Sequence, residues 1–417
     1  MDDHGRLPFL KAGERTLKLA DRLNVDCQEG ALRITEIRDL TVGFQTSIAN
    51  AVVNFASHDV SLVALVSDVI RDGRPLVGIA FNSIGRFAQS GIIRNRIAPR
   101  ISAADPDSLL AADGSLDCGA LYRVAMKDEK PGGHGDRAGA VAAVELAAWD
   151  LNAKFAQEPA YATIARHHGG DAASQVPVYA AGGYYHPDGG VKRLREELQG
   201  YIDQGFTSAK IKIGGASTAS DMERIENAID VLGGGHHLAV DVNGRFDETA
   251  AMSTAEAIAP YNLRWFEEIG DPLDYQLNAR VARHYPGAIA GGENLFSAPD
   301  VLNFVRYGGM RPGLDIFQMD AGLSYGLSEY RAIVAALEDN GFDRASIHPH
   351  GGHLINLHIV CGLNLGGCEA YPNAFQPFGG YSPECRIADG MIRPAQHDGF
   401  GLEHKTELQE LIAEIKS

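Results

Sequence analysis

Between Ala209 and His353, charged groups recur at the ends of short apolar runs with a nearly constant stride, and few folds accommodate that pattern. AKIKIGG carries Lys210 and Lys212, LAVDVNG carries Asp241 and Asn243, and RWFEE holds Glu267. AGGEN then brings Glu293, FQMD ends on Asp320, and SIHPHGGH contains His350. From Lys212 onward successive members lie 26 to 30 residues apart. One strand, one helix and two loops need that length, because parallel strands are joined by a crossover, usually helical. Strands of this kind closing into a barrel would gather the charged groups at its C-terminal mouth, where such barrels do chemistry. The pattern gives eight candidate strands, at 177–181, 208–213, 238–242, 263–267, 288–292, 315–319, 345–349 and 368–371.

The chain is too long for the barrel alone. At 417 residues, with 45% hydrophobic and 22% charged side chains, it has apolar surface for two globular units. Residues 1–29 read as a polar leader, partly helical over 14–23. Residues 30–155 read as an α+β capping domain, with a hairpin about Asp72-Gly73, a helix near 89–101 and a buried alanine-rich helix over 138–155. Residues 156–375 form the barrel, and 376–417 end in an amphipathic helix that returns to the cap. The expected fold is an α/β barrel of (β/α)7β type with this cap.

Composition narrows the function classes. A formal charge of −17 repels nucleic acid and anionic membranes, so neither is expected as a partner. No run approaches the roughly 18 apolar residues of a membrane span. The N-terminus has no secretory pattern. Five cysteines without a CxxC pair read as thiols in a reducing cytoplasm.

The constellation itself suggests metal-assisted acid–base chemistry. Lys210 and Lys212, two apart on a strand, share a face, and each would lower the other's pKa toward that of a base. Asp241, Glu267 and Glu293 are hard oxygen donors that repel one another unless a cation such as Mg²⁺ sits among them. Glu268 alternates to the other side, which suggests packing or an ion pair. Asp320 would orient His350 as a general acid or base. His348 and His353 compete for that role, or serve structurally by capping the next helix. Taken singly, every one of these residues has an ordinary surface, capping or salt-bridge explanation.

The order KxK, Asp-x-Asn, Glu, Glu, Asp, His resembles the enolase superfamily, in its mandelate racemase-like branch. Longer phrases (EKPGGHG, YAAGGYY, KIKIGG, DPLDY, GENLFS, RYGGMRP, LSYGL and PHGGH) are similar to those of the D-tartrate-dehydrating members of that branch. The resemblance implies that Lys212 removes the proton α to a carboxylate, with Lys210 in support. It implies Mg²⁺ on Asp241, Glu267 and Glu293 stabilising an enediolate, and His350, oriented by Asp320, helping the β-hydroxyl leave. A hydroxy-dicarboxylate or sugar acid would be the substrate, and the enzyme a homo-oligomer. Lys130, Asn50, Asn82, Asn243, Tyr184 and Glu369 are the candidate substrate contacts. One departure stands out: Ile84, in FNSIGRF, replaces an asparagine of the tartrate pattern. Racemisation or epimerisation by the same lysine and histidine is the near alternative. A zinc hydrolase built on HPH expects its histidine pair early in the barrel, and a non-enzymatic descendant predicts a lost catalytic residue; neither matches.

Overall fold

The computed structural model describes residues 30–186 and 190–417, apart from 45, 47 and 51, together with a two-residue strand at Leu17–Lys18. That strand, β1, pairs antiparallel with Glu36 and Ile37, so the helix expected over 14–23 does not extend through these residues. The rest of that segment, and Cys27, lie outside the described residues. Strand β2 (Ile34–Gly43), β3 (Asp59–Arg71) and β4 (Arg74–Phe81) complete an antiparallel sheet in the order β1-β2-β3-β4. Asp72 and Gly73, at φ 52° and 76°, make the predicted hairpin turn.

The helix Asp136–Phe155 packs on this sheet and is buried along its length from Arg137 to Lys154. Its alanines favour the helix and present so little bulk that the sheet comes close. At Gly78 a Cβ would lie 2.2 Å from the Ala147 carbonyl oxygen. The segment near 89–101 is helical in three pieces, Ser90–Ile92, a wider π turn Ile93–Ile97, and Ala98–Ala103.

The barrel strands are β5 (Val176–Gly182), β6 (Ala209–Lys212), β7 (Leu238–Asp241), β8 (Trp265–Glu267), β9 (Ile289–Gly291), β10 (Ile316–Phe317) and β11 (Cys368–Ala370). Neighbours from β5 to β10 are parallel, and β11 closes on β5. The expected seventh strand at 345–349 is instead a 3-10 turn (Arg344–Ser346) followed by a single bridge, Ile347 to Phe317. Pro349 has no N–H and cannot continue a ladder on both sides. His348 N and His350 N still donate to Phe317 O and Gln318 O at 2.8 and 3.1 Å, while Gly366 N reaches Ile347 O on the other side. The barrel is thus closed at eight positions with seven strands.

The C-terminal segment does more than return to the cap. Its hairpin, β12 (Arg386–Ala388) and β13 (Met391–Arg393), first adds an antiparallel strand to β5. The terminal helix Gln409–Lys416 then packs against β2 and β3, and Arg38 donates to the Ile415 carbonyl at 3.0 Å. Asp150, buried in the long cap helix, accepts from Ile79 N and Phe400 N and so ties both segments together. Cys118, Cys361, Cys368 and Cys385 are free thiols. Among the described residues no helix is long and apolar enough to cross a membrane.

Candidate active site

Two buried lysines on β6 pair with carboxylates at the ends of nearby barrel strands. Lys212, the last residue of β6, places Nζ 2.5 Å from Oδ2 of Asp241, the last residue of β7. Lys210 Nζ lies 2.5 Å from Glu267 Oε1 and 2.7 Å from Glu369 Oε1. Buried charges require such partners. The pairing corrects the expected net direction: burial and then the Lys210 charge pull Lys212 down, but the Asp241 carboxylate outweighs them and holds the amine above its ordinary value. Glu267 is fully engaged, its second oxygen accepting from Trp265 Nε1 and Gln318 Nε2, both at 2.7 Å.

On another wall His350 Nδ1 is 3.2 Å from Asp320 Oδ2, and its Nε2 lies 3.2 Å from Tyr371 Oη and 3.8 Å from Glu293 Oε2. Burial opposes the imidazolium, yet Glu293 and Asp320 prevail and raise the group to about 9. The competing histidines are structural. His353 caps the helix Leu354–Leu363 by accepting from Asn356 N. Burial and the Arg264 guanidinium push His348 down to about 3, and its ring packs among Tyr179 and Trp265.

A cavity of about 450 Å³ opens between the cap and the barrel mouth. Of the candidate residues, Lys212, Glu293, His350, Asn243, Tyr184 and Asn50 line it. Lys210, Asp241, Glu267, Asp320 and Glu369 form the buried layer behind them. Glu369 accepts from Gly351 N and Tyr371 Oη, which makes it a brace for the His350 wall. Two substrate-contact candidates are displaced. Asn82 is wholly buried and spends its side chain on Ser61 N and Phe87 O. Lys130 is exposed and does not line the cavity, because Arg137 holds the carbonyls of Lys130 and Gly132 back against the cap helix.

Glu268 and Asn294 are lining residues that escaped sequence reasoning, Glu268 above all. The strand ends at Glu267, and Glu268 takes a left-handed φ of 45° that breaks the alternation and turns its side chain into the cavity. There Asn294 Nδ2 donates to Glu268 Oε1 at 2.5 Å, and the Asn294 carbonyl oxygen accepts from Arg86. The GENLFS phrase contains Asn294, and FNSIGRF contains Arg86 and the cavity-lining Ile84.

The donor chemistry fits a hard divalent cation. Burial and then the charges of Glu293, Asp241 and Glu267 drive the Glu268 carboxyl well above its ordinary range, so hard oxygen donors crowd the cavity floor and the layer behind it. Asn243 Oδ1, another oxygen donor, is buried there with no hydrogen-bond partner. Among the described residues no three acidic, imidazole or thiol groups close around one point. Lys212 and Lys210 instead neutralise Asp241 and Glu267.

Residues 193–408 match the family model described as enolase C-terminal domain-like, just over half of the chain. The chain belongs to the enolase superfamily. Among enolase-superfamily relatives it is 32% identical over 272 residues to the 3,6-anhydro-alpha-L-galactonate cycloisomerase of Streptomyces coelicolor, covering 65% of this chain and 70% of that protein. It is 29% identical over 227 residues to the arabinonate dehydratase of Saccharolobus solfataricus, covering 54% of this chain and 58% of that one. The structure of a Streptomyces coelicolor racemase with bound magnesium superposes at a TM-score of 0.73, with 23% identity, over 92% of this chain and 99% of that chain. That likeness shows a shared fold.

Proposed function

We propose that this chain is a Mg²⁺-dependent acid-sugar dehydratase and that its substrate is D-tartrate. The reading rests on one observation: Lys212 and His350 line a single cavity from the second and seventh barrel positions, with Glu293 and Glu268 on the floor between cap and barrel. The dehydratase among the relatives supports the reaction class. The shared sequence phrases support tartrate.

In this reading residues 156–375 form the catalytic barrel and 30–155 the cap that selects the substrate. Asp241, Glu267 and Glu293 are the residues that would hold Mg²⁺, and the bound ion would supply positive charge to stabilise negative charge on a substrate carboxylate. Lys212 Nζ takes the proton from the α-carbon. Asp241 holds the amine protonated against burial and, to a smaller extent, the Lys210 charge, which lower it. Loosening the Asp241 contact therefore frees Lys212 to act as a base. His350, a proton donor by virtue of Glu293 and Asp320, gives its proton to the β-hydroxyl, which leaves as water. The resulting enol of oxaloacetate tautomerises to the keto acid. Tyr184, its ring centroid 5.6 Å from Lys212 Nζ, shields the amine from solvent. The expected setting is a cytoplasmic homo-oligomer acting on a small hydroxy acid.

A screen of sugar mono- and diacids with Mg²⁺, read as 2-keto acid formation, tests the class and the substrate together. Appearance of keto acid from D-tartrate supports both, and turnover of another acid alone overturns tartrate. Lys212 and His350 on different walls also fit a racemase or epimerase. His350→Asn separates the two readings when deuterium uptake from D₂O into recovered substrate is measured. Continued uptake with dehydration lost marks the histidine as the leaving-group acid. A product that is only the epimer marks the alternative.

A further inference from the structure

The charge pattern of the cavity raises a question that the displaced Lys130 leaves open: which group meets the second carboxylate of a diacid. The cap contributes Asn50, Val52, Val53, Phe55, Ile84, Gly85 and Arg86 to the lining. Among these described residues Arg86 is the sole ionised side chain, set in a wall that is otherwise apolar or neutral. Its guanidinium makes no ion pair with a carboxylate among the described residues. It donates only to neutral oxygens, those of Gly85 O at 2.7 Å and the side-chain carbonyl of Asn294. Asn294 in turn donates to Glu268, so a barrel residue and the Gly85 carbonyl of its own loop together orient the guanidinium at the cavity. Gly85, immediately before it, runs close over His350, where a Cβ would lie 4.0 Å from the imidazole Cε1.

From this placement we propose that Arg86 is a specificity-determining residue that binds the distal carboxylate of a dicarboxylate substrate, a role that deepens the dehydratase reading and rests on it. A guanidinium offers paired N–H donors that match a carboxylate, and charge-assisted bonds are roughly twice as strong as those to neutral oxygens. An arriving carboxylate therefore displaces Gly85 O and Asn294 as acceptors. A hydroxymethyl group at the same position gains no such advantage. The apolar neighbours Val53 and Ile84, partly and fully buried, add to the discrimination by limiting the water that competes for the guanidinium.

The test compares two matched pairs, D-tartrate against the threonate that replaces one carboxylate with a hydroxymethyl, and galactarate against galactonate. Each is measured with the Mg²⁺-loaded enzyme, by turnover and by calorimetric binding. The wild type is expected to favour the diacid of at least one pair. Arg86→Gln is expected to collapse that preference by about 30-fold or more, the worth of one charge-assisted pair, and Arg86→Lys to keep part of it. Equal loss on both members of each pair would assign Arg86 to cap closure alone and overturn the proposal, as would a preference that survives Arg86→Gln. Should the wild type turn over none of the four, the dehydratase reading falls and the binding ratio judges Arg86. Wild-type binding without diacid preference, or no binding of either diacid, overturns the inference. Melting curves of each variant confirm that the comparison is between folded proteins.

Discussion

Asp320 Oδ2 sits 3.2 Å from His350 Nδ1 and accepts at the same time from the hydroxyl of Ser83, a cap residue just beyond β4. The cap therefore helps hold the carboxylate that holds the imidazole. Replacing Asp320 with Asn keeps the shape but removes the charge that favours the protonated ring and fixes its Nδ1 proton. Asp320→Asn is expected to lower kcat by ~10²–10³-fold, the usual worth of a positioned acid or base, with little change in KM. Steady-state kinetics on whichever acid the enzyme turns over will show it; an unchanged kcat would separate Asp320 from the chemistry.

A second prediction concerns acid stability. Glu129 receives Arg96 at 2.5 Å, Arg100 at 2.8 Å and Arg137 at 3.2 Å. Burial works against its ionised form, but the three guanidinium groups prevail and lower it to about 2, from an ordinary 4.5. A carboxylate depressed on folding stabilises the native state fully above its unfolded value and loses that contribution as pH falls through its folded value. The window is thus pH 4.5 down to 2. Glu129→Gln should destabilise the protein at pH 7 and flatten the acid limb of its melting temperature across that window. An acid limb identical to wild type would rule out this cluster as its source.

The barrel was legible because its stride is imposed by chain geometry: a parallel strand cannot follow another without a crossover of fixed minimum length. Seven of eight strands fall where the apolar runs place them, and the eighth fails for a local reason, the missing N–H of Pro349. The site was legible in its positions more than in its contacts. Two-residue alternation sent Glu268 to the wrong side, because nothing in the letters EE reveals that the second adopts φ 45°. Lys130 and Asn82 were misplaced for a related reason. The Lys130 backbone carbonyl answers to Arg137 and the Asn82 side chain to Ser61, partners 7 and 21 residues away, whose approach is set by tertiary packing. The lysine pair read as mutually repelling, since neighbours two apart are visible in sequence and the carboxylates that neutralise them, 29 and 57 residues on, are not.

Packing of the cap offers a test without reference to chemistry. Gly78 lies under the helix Asp136–Phe155, and a methyl group there would meet the Ala147 carbonyl at 2.2 Å and Leu151 Cβ at 2.4 Å. Neither atom belongs to a side-chain end that can swing away, so the helix must lift from β4. Gly78→Ala is expected to cost ~3 kcal/mol, the upper range for forced overpacking, and to lower the melting temperature by several degrees. A variant that melts with the wild type would mean the helix does not approach β4 this closely.

The pair Lys212–Asp241 joins stability to function, and its removal separates them. Asp241 is wholly buried, and Lys212 is its 2.5 Å partner; Lys210 stands farther off, at 3.7 Å. Taking away Lys212 leaves a buried carboxylate with only that remote cation, which costs up to ~3–5 kcal/mol when a buried pair is broken outright and less here because Lys210 remains. Lys212→Ala should therefore melt lower than wild type in chelator-treated samples. If Asp241 belongs to a Mg²⁺ site, the ion replaces the missing charge, and binding to the native state alone restores stability in proportion to the logarithm of its concentration. The expected result is a larger Mg²⁺-induced rise in melting temperature for Lys212→Ala than for wild type, with turnover reduced by at least ~10³-fold. Equal rises in both proteins would place the ion away from Asp241. Retained turnover would remove the amine from the reaction even if the metal site stood.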